Sequence, residues 1–473
     1  MAICFSMKVV FPQPKPKIIF IFGCLALLGW LPLYFDPVFE RYDTLLLFLL
    51  PVAFGLVVFY VPAFRSDAAV LTPRNLMLFI WLNKLVIIPV ELLLVGNKAL
   101  LFNTADYPLF DEIKITLLAF FAFVCGWIWS EKRVRRIENQ PRLMPPVSLK
   151  WIALVYLLIG VFSLLWLYGS LQEYAEGAIF TPITREIMEQ VSGALTGYLA
   201  NVGQRFLPFG IMLAWCFFTQ KRTFRWYENG LWLSLCLVNT LSSNRSNMIY
   251  PLLAFLSIML VNWRVKHKWL LVLSAVGVTL LLLFFGYLRF QPNLDSESVG
   301  YLFDAYLSET DYVWYAHQIY FGTPYQITPL LHSDIPYHST WLASLLDPVP
   351  ILGKFFREQS GPTLYNLAIY GFPDVQDKVI PVAGELFYNG GYFAVTLGHL
   401  AFGWVYQRLD ALFKQYALAA LPLALNLFYI ALLFNAVLLL SLSVLAQFFV
   451  YNAAPALLIW AVYRVKFPVL FKR

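Results

Sequence analysis

Three arginines interrupt or border long apolar stretches of the chain. Arg245 follows the polar residues 242–244, between two short apolar runs. A charge inside a membrane is costly unless it is compensated. A bound anion would compensate it, and the free N–H groups of a helix that starts here would add to an anion site. The alternative is an arginine whose side chain reaches the membrane surface. We predict that Arg245 binds a phosphate-sized anion.

Two further arginines could join Arg245 around a pyrophosphate. Arg289 ends the apolar run 269–288, where it is either an interface anchor or the second arm of a clamp. A guanidinium is well shaped for such a clamp, because its planar fork matches phosphate oxygens. Arg205 lies within the apolar stretch 198–218, where it either pairs with Glu91 or binds substrate. The predicted pyrophosphate-binding residues are therefore Arg245, Arg289 and Arg205.

A carboxylate and a histidine are the candidates for proton transfer. Glu385 opens an apolar run in the sequence PVAGELFYNGG, residues 381–391, and the Asn-Gly-Gly at its end predicts a break in this span. The helix dipole favours a carboxylate at that position, so one interpretation is structural. In the other, Glu385 accepts a proton from an attacking hydroxyl or holds a sugar hydroxyl. His332 and His338 flank Asp334, and either could be the base. We take Glu385 and His338 as the catalytic candidates.

Aromatic side chains interleaved with polar ones indicate a site for a polyhydroxyl ligand. Tyr312, Trp314 and Tyr315 lie together after Asp311, and the pair Tyr388 and Asn389 follows Glu385. We predict that these five residues bind sugar. The alternative is a segment that rests among lipid headgroups, where Tyr and Trp are also enriched.

The composition shows what kind of protein must position these residues. Hydrophobic residues make up 60% of the 473 residues, charged residues 13% and aromatic residues 18%. A soluble domain carries about 25% charged residues, so this composition excludes soluble, disordered and disulfide-stapled secreted proteins. The sequence predicts an all-α polytopic membrane protein.

Apolar runs long enough to cross a bilayer, about 20 residues each, recur along the chain. Two short runs share the polar hinge around Arg245, which is typical of discontinuous membrane helices. We predict about twelve spans, at residues 18–34, 44–61, 75–95, 113–129, 151–168, 198–218, 229–241, 247–262, 269–288, 385–405, 417–440 and 444–462.

Basic residues predict the orientation of these spans. With the N-terminus in the cytoplasm, about two thirds of the 34 lysines and arginines fall in cytoplasmic segments. Both termini are then cytoplasmic, and the long segment between spans nine and ten lies outside. The predicted organisation is spans one to nine in 1–288, a large periplasmic loop in 289–384 and the last three spans in 385–473. Orientation in the bilayer explains the basic clusters, so no nucleic-acid partner is predicted.

Common catalytic motifs do not occur in the chain. It has no phosphate-binding G-x-x-x-x-G-K-[ST] loop, no G-x-S-x-G and no H-E-x-x-H. ATP-driven transport, serine hydrolysis and zinc proteolysis therefore have no support in the sequence.

Three stretches of the sequence resemble a family of membrane enzymes. They are the [ST]-x-x-R break with the residues after it (242–250), the YLRF sequence at 287–290 and the G-E-L-[FY]-x-N-x-G motif within 381–403. With the large outer loop, they resemble the O-antigen polymerases, the Wzy-type polymerases of oligosaccharide repeat units. This resemblance implies a glycosyltransferase C-type fold in the bacterial inner membrane.

The resemblance also implies the reaction and the partners. A growing chain would move from undecaprenyl pyrophosphate to a sugar hydroxyl of a new lipid-linked repeat unit. Catalysis would need no metal and no cofactor, with Arg245 and Arg289 stabilising the departing pyrophosphate. The implied partners are the lipid-linked oligosaccharides, the bilayer and a chain-length regulator of the Wzz type. Two alternatives remain: an O-antigen ligase that transfers polymer to lipid A core, and a lipid-linked oligosaccharide flippase.

Overall fold

In the computed structural model of the chain, the described residues are 47–64, 71–98, 109–131, 148–168, 198–219, 225–240, 245–262, 310–332, 340–371, 380–417, 420–435, 438 and 440–466. Every regular element in these ranges is helical, which confirms the predicted all-α class for this part of the chain. The α-helices are α1 Leu49–Tyr60, α2 Pro73–Val95, α3 Phe110–Glu131, α4 Ser148–Tyr168, α5 Phe206–Thr219, α6 Trp226–Thr240, α7 Arg245–Asn262, α8 Thr310–Phe321, α9 Thr328–Leu331, α10 Trp341–Leu346, α11 Gly353–Phe356, α12 Gly361–Tyr370, α13 Val382–Ala417, α14 Leu421–Phe434, α15 Leu442–Asn452 and α16 Ala454–Lys466.

Several of these helices are apolar enough to cross a membrane. Among the described helices, three stretches combine sufficient length with a sufficiently apolar composition, namely Pro73–Val95, Phe110–Glu131 and Tyr198–Thr219. They coincide with the predicted third, fourth and sixth spans. The predicted span 444–462 is instead two helices, α15 and α16, which meet at a bend of 65°. The total of about twelve spans and the glycosyltransferase C-type arrangement stay predictions, and the spans at 18–34 and 269–288 lie outside the described residues.

Helix α4 has the surface of a helix that faces lipid. Trp151, Leu158, Phe162 and Trp166 form an exposed stripe along it, while Tyr156 on the opposite side is buried. The Tyr156 hydroxyl donates a hydrogen bond to the Pro455 carbonyl 2.8 Å away, so its buried polar atom is satisfied. An apolar outer stripe over a packed inner face suits a helix at the edge of a membrane bundle.

Helices α3 and α13 form the most extensive contact between described helices. Glycines make this approach possible. A Cβ atom on Gly126 would lie 2.0 Å from the Leu400 carbonyl oxygen, and one on Gly403 would lie 2.0 Å from the Phe123 carbonyl oxygen. The two backbones therefore touch directly, as they do where small residues line helix interfaces in membranes.

Helices α8–α12, from the predicted periplasmic loop, pack on one end of the bundle; we call them the loop layer. Gln318 of α8 joins this layer to the end of α2. Its side chain accepts a hydrogen bond from the Lys98 N–H at 2.6 Å and donates one to the Gly96 carbonyl at 3.0 Å. The layer also contacts the first turns of α3 and α13 through Thr328 and Ser344. The predicted loop is thus a helical cap where it is described.

A second polar cluster ties the opposite ends of α2 and α13. Asp410 is buried, and it accepts a hydrogen bond from the Arg74 N–H at 3.0 Å. Its other oxygen lies 2.5 Å from Lys414 Nζ and 3.7 Å from Arg74 Nε. The buried Asp410 carboxylate is stable because two cations and a backbone N–H donor surround it.

Candidate functional site

Glu385 lies at one of the contacts between the loop layer and the bundle. It lies in the first turn of α13, and its side chain is completely buried. One carboxylate oxygen accepts a hydrogen bond from Ser344 Oγ at 2.6 Å, and the other accepts one from the Leu442 N–H at 2.9 Å. Ser344 Oγ in turn accepts the Gly361 N–H at 3.0 Å. Glu385 therefore joins the starts of α13, α15 and α12 to α10.

The close packing around Glu385 leaves no room for a larger neighbour. A Cβ atom on Gly361 would lie 2.7 Å from the nearer Glu385 oxygen. The side chain is fully buried and each carboxylate oxygen accepts a hydrogen bond from the protein, so protein atoms and not solvent surround Glu385 in this arrangement. Its geometry is that of a positioning residue, which agrees with the structural interpretation of its place in the sequence.

The predicted sugar ligands Tyr388 and Asn389 are engaged in the same contact. Asn389 accepts a hydrogen bond from the Thr340 N–H at 2.5 Å and donates to Thr340 Oγ1 at 2.8 Å and to the Glu385 carbonyl at 2.7 Å. Tyr388 is buried in a small apolar cluster with Leu330 and Tyr365. The structure thus brings Glu385, Tyr388 and Asn389 together as one anchoring group.

Helix α13 breaks directly after Asn389, as the Asn-Gly-Gly sequence predicts. The φ angle of Gly391 is +60°, in the left-handed region that favours glycine. Tyr392 follows the break and turns towards the first turn of α3, where its hydroxyl donates to Asp111 Oδ1 at 3.2 Å. The break therefore directs the Tyr392 ring towards the first turn of α3.

Glu112 is a buried carboxylate that the sequence reasoning missed. It lies in the first turn of α3 and is fully buried, and its Oε1 accepts a hydrogen bond from Thr328 Oγ1 at 2.7 Å. Its Oε2 is buried and has no hydrogen-bond partner among the described residues. His332 is exposed at the end of α9, one turn after Thr328. A signal was present in the sequence, because the acidic pair 111–112 directly precedes a predicted span.

Glu91 and His317 form a second contact between α2 and the loop layer. Glu91 is buried, and its Oε1 lies 2.7 Å from His317 Nδ1. His317 Nε2 lies 2.9 Å from Asn83 Oδ1, at the start of a π-helical turn within α2. Such turns often mark functional positions in helices. The structure shows Glu91 against His317 and Arg205 bonded to Asn201, and it shows no contact between Arg205 and Glu91.

The arginine candidates are described only in part. Helix α7 begins at Arg245, so the predicted hinge does place this residue at a helix N-terminus. The Arg245 side chain, Arg289 and His338 lie outside the described residues, as does the Tyr312 side chain. Arg205 precedes α5 and donates from its guanidinium to Asn201 Oδ1 at 2.8 Å. Trp314 and Tyr315 are half-buried on α8.

Comparison with known proteins yields no relative: no family model, no curated protein and no solved structure matches the chain. The fold itself defines a class. The described part of the chain is helical, and several of its apolar helices could span a membrane. These features indicate a helical membrane protein with a cap of loop helices at one end of the bundle.

Proposed function

We propose that this protein is a membrane glycosyltransferase that polymerises oligosaccharide repeat units carried on undecaprenyl pyrophosphate. It would act at the periplasmic face of the bacterial inner membrane, with both termini in the cytoplasm. The growing chain passes from its lipid carrier to a sugar hydroxyl of the next repeat unit, and undecaprenyl pyrophosphate leaves. The product is O-antigen or a related surface polysaccharide.

The observation that carries this proposal is the attachment of the loop layer to the bundle. Three buried carboxylates, Glu91, Glu112 and Glu385, contact loop residues at one end of the bundle. A buried carboxylate lowers the stability of the fold unless the protein compensates its charge. A loop that only rests among lipid headgroups would not need buried carboxylates to hold it. A fixed cap suits an enzyme whose substrate keeps its lipid in the bilayer while its sugars extend outside.

The chemistry requires little beyond positioning and positive charge. A lipid pyrophosphate donor is already activated, so the enzyme needs no nucleotide site. It must hold the donor and acceptor sugars in the orientation that lets them react, and it must stabilise the charge that develops on the leaving pyrophosphate. We assign the second task to Arg245 and Arg289, with Arg205 as a further pyrophosphate ligand, and the binding of sugar to Tyr312, Trp314 and Tyr315.

Glu385 receives a positioning role in this proposal. Its two occupied oxygens hold the loop layer against α13 and α15, close to where the loop returns to the membrane. Tyr388 and Asn389 share that role, because both are engaged in the same contact. The layer would then carry the sugar-binding aromatic residues at a fixed height above the bilayer.

The polysaccharide of a strain that lacks this protein tests the proposal. We expect lipid A core that carries a single repeat unit, with polymer restored by the wild-type chain on a plasmid. Bare core together with lipid-linked polymer would instead identify a ligase. Accumulation of lipid-linked repeat units on the cytoplasmic side would identify a flippase, and either result would overturn the proposal.

A further inference from the structure

The turn after α8 reaches from the loop layer into the bundle. Phe321 and Tyr325, on either side of Gly322, pack against the buried apolar core that α1, α2 and α3 share. The centre of the Phe321 ring lies 5.9 Å from that of Phe79, a residue in the first half of α2. Residues 322–326, which we call the inner turn, therefore lie within the bundle and not above it.

Lys84 meets the inner turn halfway along α2. A Cβ atom on Gly322 would lie 3.5 Å from Lys84 Nζ and 3.3 Å from Gln326 Oε1, so the ammonium group lies against this turn. Gln326 Oε1 accepts the Thr323 N–H at 2.8 Å, which closes the turn. Lys84 itself belongs to the π-helical segment Asn83–Ile87, and such segments are frequent at functional sites.

The Lys84 ammonium group has no partner among the residues that the structure describes. No hydrogen bond and no ion pair joins its Nζ to any of them. Glu91, the acidic residue of α2, contacts His317 Nδ1 at 2.7 Å instead. Lys84 is also about 16 Å from either end of α2, at 1.5 Å per residue, which is farther than a lysine side chain extends. A charge held inside a span is costly, and it marks a functional site by default.

The ammonium group does not lie on the lipid side of α2. The exposed apolar residues of this helix are Phe79, Ile87, Val90 and Leu94. Lys84 is only partly exposed, and its Nζ lies against the inner turn. The charge therefore occupies a site between α2 and the inner turn that a ligand can still reach.

We propose that Lys84 binds a phosphate group of the lipid-linked substrate, in a site between the middle of α2 and the inner turn. The inference rests on the proposed function. The ligand must be an anion, because a neutral hydroxyl would leave the ammonium charge uncompensated. An ammonium group has three N–H donors and a phosphate has several acceptor oxygens, so the two form charge-assisted hydrogen bonds.

The depth of the site identifies the source of the phosphate. A ligand that reaches the middle of a span inside an apolar core enters from the bilayer, so the phosphate is one that a lipid carries. Lys84 thus adds a cation from α2 to the arginines assigned above, and its role is to hold the substrate.

The test compares Lys84→Met with wild type and with Lys354→Met. Methionine removes the charge and keeps an unbranched side chain, and Lys354 is an exposed lysine of the loop layer. The purified proteins, in nanodiscs of a neutral lipid, are titrated with undecaprenyl pyrophosphate, and native mass spectrometry measures the bound fraction. We expect Kd to rise at least ~10-fold in Lys84→Met alone, because a hydrogen bond to a charged group is lost.

Three other ligands identify what the site recognises. Undecaprenol, which lacks the pyrophosphate, should bind equally to all three proteins. Inorganic pyrophosphate and phosphatidylglycerol should bind wild type more weakly than undecaprenyl pyrophosphate does. If undecaprenol loses as much affinity in Lys84→Met, or if either of the other two binds as tightly with the same dependence on Lys84, the assignment is overturned.

A further measurement needs no ligand. The thermal midpoint of Lys84→Met should equal or exceed that of Lys354→Met, because the substitution removes a charge that lacks a partner among the described residues. A midpoint lower by several degrees would show that the protein itself stabilises the ammonium group, which would make Lys84 a structural residue and overturn the site.

The binding measurement also separates the site from the proposed function. If wild type makes polymer but all three proteins bind undecaprenyl pyrophosphate with the same Kd, the site is wrong and the function stands. If wild type makes no polymer but binding depends on Lys84, the phosphate site stands and the proposed function is overturned.

Discussion

Removal of the Glu385 carboxylate should loosen the loop layer from the bundle. In Glu385→Ala, the Ser344 hydroxyl and the Leu442 N–H lose their common acceptor in a fully buried site. An unsatisfied buried donor costs about 1–3 kcal/mol, so the two together cost about 2–6 kcal/mol. In Glu385→Gln, the side-chain oxygen can still accept the Leu442 N–H, while the amide donates to Ser344 Oγ and the Ser344 hydroxyl proton loses its acceptor. One buried donor is then unsatisfied instead of two, so the loss is about 1–3 kcal/mol, plus about 1 kcal/mol for the change from a charge-assisted to a neutral bond at Leu442.

The assay is thermal unfolding of the purified protein in detergent. The quantity measured is the fraction of protein that stays monodisperse after heating to each temperature. We expect the midpoint to fall by several degrees in Glu385→Ala and by less in Glu385→Gln. Glu358→Ala is the matched control, because Glu358 lies in the same loop layer and is exposed. Gly361→Ala should also lower the midpoint, since the added methyl group would meet the Glu385 oxygen. If Glu385→Ala unfolds at the temperature of Glu358→Ala, the anchoring role of Glu385 is refuted.

Three further predictions concern orientation, charge and packing. Reporter fusions after residues 140 and 266 should read cytoplasmic, and one near residue 335 should read periplasmic. A cytoplasmic reading at 335 would put the loop layer on the opposite side of the membrane from a substrate that has been flipped to the periplasm. Arg245→Ala should abolish polymer at normal protein levels, and Arg245→Lys should restore only part of it, because a point charge replaces a bidentate fork. Polysaccharide of normal length in Arg245→Ala would mean that this residue is only an interface anchor. Gly126→Leu should reduce the amount of folded protein in the membrane by disrupting the contact of α3 with α13, whereas Gly55→Ala, which has open space around it, should not; equal yields would contradict the close approach.

The helices and their breaks were predictable because local signals encode them. Apolar runs located α2, α3 and the stretch Tyr198–Thr219, and the Asn-Gly-Gly sequence located the break in α13. The bend between α15 and α16 was missed, since the apolar run continues through it. Hydropathy records which residues avoid water, and it carries no information on direction.

The partners of the polar residues were not predictable in the same way. Glu385 was recognised as important from its place at the start of an apolar run. Its partners Ser344 and Leu442 are 41 and 57 residues away in the chain, and no local periodicity relates them. The same holds for Glu112 and Thr328, which are 216 residues apart. Only the tertiary fold shows that these carboxylates anchor one layer of helices.

Reconstitution of the purified chain in lipid nanodiscs with undecaprenyl-pyrophosphate-linked repeat units tests directly whether the protein is a polymerase. We expect a ladder of lipid-linked products, with one undecaprenyl pyrophosphate released for each new linkage. The ladder should form without nucleotide and disappear in Arg245→Ala. Repeat units that remain monomeric with the folded wild-type protein, while the same preparation moves them across the bilayer or joins them to lipid A core, would contradict the proposed function.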